Sequence, residues 1–71
     1  MNYHLLMKAV GGHLYFAREL NTSLRSVYQW SANGLPKKYA TRLEIIDAIE
    51  RAPIDTKLKQ SCLDWAKDPA N

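Results

Sequence analysis

Leu24, Arg25, Tyr28 and Gln29 place an apolar side chain, a planar guanidinium, a phenol and a carboxamide within two turns of a helix. An arginine fork matches O6 and N7 of guanine, and a glutamine amide matches N6 and N7 of adenine. Leucine can pack on a thymine methyl, and tyrosine can do the same or reach a phosphate with its hydroxyl. This is the chemistry of reading base edges in a duplex, and these four residues are the expected base contacts. The plainer alternatives are a solvated charge or phosphate contact for Arg25 and a shoulder of the core for Leu24. No bond-making chemistry competes. Two histidines and one cysteine do not form a metal-ligand set, and Gly11-Gly12 lacks the further glycines and lysine of a phosphate loop. There is no nucleophile motif, so neither an enzyme, a cofactor nor a small-molecule substrate is expected.

The elements that must carry those residues lie in the stretch HLYFARELNTSLRSVYQWSA, residues 13–32. It reads as two short helices joined by a sharp turn. Ala17 is small where the helices approach, and Asn21 stands at the bend, where a left-handed backbone is required. Phe16, Leu20, Val27 and Trp30 pin the second helix to the first, which turns Arg25, Tyr28 and Gln29 outward. This is a helix-turn-helix pattern, whose second helix presents its N-terminal residues to the major groove. Phosphate anchors are expected at Ser23, the N-cap of the second helix, and at Lys37, Lys38 and Arg42 beyond Pro36. Each of these cations could equally be an ordinary solvated charge, and Arg18 could pair with Glu44.

Periodicity predicts three further helices, over residues 2–10, 37–52 and 54–67, around helices 13–20 and 24–32. Gly11-Gly12 and Asn33-Gly34 mark stops, Pro36 a start and Pro53 a break. Tyr3, Leu6, Met7 and Val10 form the apolar face of the first helix. Tyr39, Ala40, Leu43, Ile46 and Ile49 are expected to close the core from the fourth. In the last, Ile54, Leu58, Cys62 and Trp65 share a stripe, with Cys62 read as a small buried hydrophobe. Trp65 fits either a core position against helix 1 or 4 or a dimer anchor. His4 reads as a surface residue, and residues 68–71 as a flexible tail after a single domain over 1–67.

Charge supports the placement of the interface. Residues 1–51 hold seven Lys and Arg against four acids, whereas residues 52–71 balance three against three. The excess therefore lies with the helix pair, as a phosphate-facing surface requires. A chain of 71 residues has room for a modest core, so a partner copy is expected. One cysteine excludes an internal disulfide and suits a reducing compartment. The absence of an apolar span and of an export-signal pattern gives the expectation of a cytoplasmic protein.

FAREL in helix 2, SVYQW in helix 3 and the following GLPKKYATRLEII resemble the Cro-type repressors of temperate phages and prophages, over about residues 3–46. The resemblance implies an all-α fold, a small five-helix bundle of the lambda-repressor-like (Cro) type with a central helix-turn-helix. It implies a transcriptional repressor that binds paired operator half-sites on double-stranded DNA, as a homodimer that is weak or induced by DNA. It also places His13 against the DNA backbone at the start of helix 2. The chain departs from the family pattern in carrying Asn21 where glycine is usual. Residues 54–67 read as helix where some Cro proteins end in strands, which points to the all-helical subgroup. Two other readings stay open: a prophage antitoxin-like or adaptor module using the helix pair as scaffold, and an excisionase-like architectural protein that bends DNA.

Overall fold

The computed structural model describes residues 1–71 as five α-helices with no strand. They are α1 (Tyr3–Val10), α2 (His13–Glu19), α3 (Leu24–Asn33), α4 (Tyr39–Arg51) and α5 (Thr56–Lys67). No helix is long and apolar enough to cross a membrane.

Local chemistry accounts for the helix ends. Asn2 caps α1 by accepting from the Leu5 N–H at 2.9 Å. Gly11, at φ +104°, turns the chain out of α1, and the Gly12 N–H closes on the Met7 carbonyl at 2.8 Å. Ser23 caps α3 through the Ser26 N–H at 3.1 Å, and Asp55 caps α5 through the Leu58 N–H at 3.2 Å. The α2–α3 turn is hydrogen-bonded throughout, with Asn21 N–H to the Arg18 carbonyl at 3.1 Å and Thr22 N–H to that of Ala17 at 3.0 Å. Asn21 is the one non-glycine residue with positive φ, at +52°. An asparagine tolerates that conformation at the bend where the sequence called for it.

The core is a single cluster. Leu6 and Met7 of α1, Phe16 and Ala17 of α2, and Val27 of α3 meet Ile45 and Ile49 of α4 and Cys62 and Ala66 of α5. Leu35, in the α3–α4 connection, is also buried. Cys62 is completely buried, and burial raises its thiol pKa, so it behaves as a small hydrophobe. Trp30 is half-buried against the same cluster.

Three expectations are corrected here. First, the inward face of α4 is rotated from the expected one. Ile49 is buried and Ile46 packs partly buried against the core as expected, but the other three are exposed. Ile45, Ala48, Ile49 and Ala52 are buried, whereas Tyr39 is 76% and Leu43 46% exposed, and Ala40 is exposed too. Second, α4 begins at Tyr39 rather than Lys37, with Lys38 in extended backbone as its N-cap and Leu35 buried in the connection before it. Third, residues 68–71 are tied down. The Leu35 N–H donates to the Asn71 carbonyl at 2.8 Å, and Asn71 Nδ2 donates to the Trp65 carbonyl at 3.1 Å. Arg18 forms no ion pair with Glu44, and the single ion pair of the chain joins Arg51 to Asp47 one turn apart on α4.

Candidate nucleic-acid interface

α3 is anchored from behind by Val27, which is wholly buried, so the residues on either side of it point away from the core. Leu24, Arg25, Tyr28 and Gln29 are all exposed on that outer side. Ser23 precedes them with its hydroxyl capping α3 and 2.9 Å from the Ser26 hydroxyl. The α3 N-terminus thus offers free amide hydrogens and hydroxyls beside an outward guanidinium and amide.

A chain of aromatic rings sets the position of this face. The Tyr3 hydroxyl donates to the Val27 carbonyl at 2.6 Å, fastening α1 to the middle of α3. Burial raises the Tyr3 pKa well above that of a free phenol, so the donor proton is held firmly. The Tyr3 ring also meets His13 edge-on, with centroids 6.1 Å apart, and is backed by Trp65 of α5 at 6.3 Å. His13 in turn stacks on Tyr28, at 4.3 Å and within 9° of parallel. Trp65 is therefore packed against α1, one of the two sites its position allowed.

His13 and Tyr28 were expected to touch DNA separately, at backbone and base. Here they form one unit, with the Tyr28 ring braced and the residue 54% exposed. Lys37 and Lys38 are exposed in the α3–α4 connection, free of any ion pair. Arg42 is the exception. Its Nε donates to the Pro36 carbonyl at 3.1 Å, and its Nη1 to those of Ala66 at 2.8 Å and Asp68 at 3.4 Å. The guanidinium clamps the start of α4 to the end of α5, where α5 leaves its last carbonyls unsatisfied. Arg42, expected as a phosphate anchor, thus has its Nε and Nη1 engaged in holding the fold.

Two further polar side chains lie beside the start of α2 without a role read from the sequence. His4 and Lys8 line a shallow hollow of about 300 Å³ with His13 and Gly12, next to the start of α2. Their i, i+4 spacing on α1 was a usable signal, because it puts both on one helix face. The acids lie elsewhere. Glu19, Glu44 and Asp47 gather with Asn21 around a separate hollow of about 430 Å³, which none of the expected contact residues lines.

Comparison with known proteins gives no match, whether to a family model, a curated protein or a solved structure.

Proposed function

We propose that this chain is a sequence-specific DNA-binding transcriptional repressor of the Cro type, cytoplasmic in a bacterial host, acting on paired operator half-sites. The observation that carries the reading is the division of α3. Val27 is fully buried while Leu24, Arg25, Tyr28 and Gln29 stand exposed on the outer side. A helix held this way enters a major groove with Arg25 aimed at guanine and Gln29 at adenine. Ser23, the amides after it, Lys37, Lys38 and the His13 end of α2 then lie along the flanking phosphates. Repression follows from occupancy of a promoter and needs neither catalysis nor a cofactor.

The rival reading, an antitoxin-like or adaptor surface, draws on the exposure of Leu24 and Tyr28 on the same face. Selection from a random duplex pool at moderate salt separates them. Enrichment of one roughly palindromic site supports the repressor. Bound DNA without sequence preference but with bending supports an architectural role instead. No retained duplex leaves the interaction module.

A further inference from the structure

One stripe of α4 stays largely uncovered by the rest of the chain, although Ile46 rests partly against the core. Tyr39, Leu43, Ile46 and Glu50 recur at spacings of four, three and four, which places them along one side of the helix. Tyr39 and Leu43 are exposed, and Ile46 is partly so. Together with Pro69 and the cations Lys37, Arg42 and Lys67 they line a hollow of about 310 Å³. Glu50, the last of the stripe, uses only its backbone carbonyl internally, as acceptor for Lys59 Nζ at 2.7 Å, and its carboxylate is in no ion pair.

We propose that this stripe is the homodimer surface, occupied by the same stripe of a second copy running antiparallel. The pattern complements itself. A two-fold axis passing between residues 44 and 45 sets Leu43 against the partner's Ile46 and Tyr39 against the partner's Glu50. The apolar pair lies at the centre, and the Tyr39 hydroxyl can donate to an otherwise unpaired carboxylate at each end. Lys37 and Lys38, at the start of one α4, come to the end of the other, where the helix dipole is negative and Glu50 lies. Arg51 at that end is already neutralised by Asp47 on its own helix.

The other apolar surface, around Met1, Leu5, Ala9 and Leu58, lacks this property. Its one charged lining residue is Lys8, and no acid lines it to receive that charge from a second copy. The α4 surface is also small. A standard interface of about 800 Å² per partner would take roughly a sixth of the chain's 4593 Å² of surface, more than one stripe offers. The association is therefore weak and depends on concentration. The inference goes beyond the DNA-binding reading and stands without it.

Sedimentation equilibrium without DNA tests the surface, with circular dichroism confirming that each variant keeps its helices. The wild-type chain associates as its concentration rises toward about 1 mM. Leu43→Glu and Ile46→Lys, each alone, raise the dissociation constant about tenfold or more. An equimolar mixture of the two regains association, because the register sets the introduced acid against the introduced base. Leu5→Glu, on the other surface, leaves association unchanged. A wild-type chain still monomeric at about 1 mM, dimerisation untouched by Leu43→Glu, a mixture no tighter than its components, or loss on Leu5→Glu would each overturn the proposal. Because no duplex is present, failure here is distinct from failure to bind DNA.

Discussion

The His13 imidazole lies flat on the Tyr28 ring, with centroids 4.3 Å apart and planes 9° from parallel. One residue opens α2 and the other stands in the middle of the exposed side of α3, so the stack couples the two helices at the candidate interface. His13→Ala removes the brace without touching the Tyr28 side chain. Operator affinity is expected to fall by about 1 kcal/mol, the order of an aromatic pair. Tyr28→Phe, which keeps the stack, reports the hydroxyl alone. Fluorescence anisotropy on one labelled duplex measures both, and an unchanged affinity for His13→Ala would show that the stack does not position Tyr28 for binding.

Arg25 and Lys37 are expected to fail in different ways. Arg25→Ala costs about 1–3 kcal/mol on the matched site and relaxes preference at one base position. Lys37→Ala weakens every sequence alike and lowers the salt slope by about one unit. Titrations of matched and mismatched duplexes at several salt concentrations distinguish them, and equal losses on all sequences for Arg25→Ala would remove it from base reading.

Arg42→Ala is a stability variant. It deletes donations to the carbonyls of Pro36, Ala66 and Asp68, and is expected to cost about 2 kcal/mol, hydrogen bonds from a charged donor being the stronger kind. For a chain of this size that lowers Tm by roughly 10 °C. The salt slope of DNA binding should stay at the wild-type value. A wild-type Tm with a shallower slope would return Arg42 to the phosphate contacts.

Alkaline pH should loosen the fold. Burial holds the Tyr3 pKa above its unfolded value of about 10, and that of Cys62 above about 9. Hydrogen bonding and charge from Glu19 act on Tyr15 in the same direction. Above those unfolded values the folded chain retains protons that the unfolded chain has lost. Stability from these groups is therefore full at neutral pH and declines as pH rises toward the folded values. Urea midpoints should fall from about pH 9 to 11, and less steeply in Tyr3→Phe, which also loses about 1 kcal/mol at pH 7 with the bond to Val27. An unaltered slope in that variant would assign the decline to the other groups.

The bend makes a small, local test. Asn21 at φ +52° is expected to tolerate glycine within about 0.5 kcal/mol, while Asn21→Ala costs about 1 kcal/mol for a left-handed backbone without the asparagine's compensation. Equal stabilities by thermal denaturation would show that the turn relaxes out of that conformation.

Much of this protein was legible from the chain alone because the deciding forces are local. Capping by Ser23 needs only a neighbour three residues on, and the stops at Gly11 and Gly34 follow from backbone freedom. The outward side of α3 was readable too, since Val27 and Trp30 leave one inward direction. α4 was not. Tyr39-Leu43-Ile46 and Ile45-Ala48-Ile49-Ala52 are both apolar stripes at helical spacing, and periodicity cannot choose between two. Only packing against α5 and the seating of Leu35 turned the second inward and left the first exposed. The same tertiary closure sent Arg42 to carbonyls 24 and 26 residues away and stacked His13 on Tyr28. Sequence spacing holds no record of such contacts, because they exist only once distant helices have met.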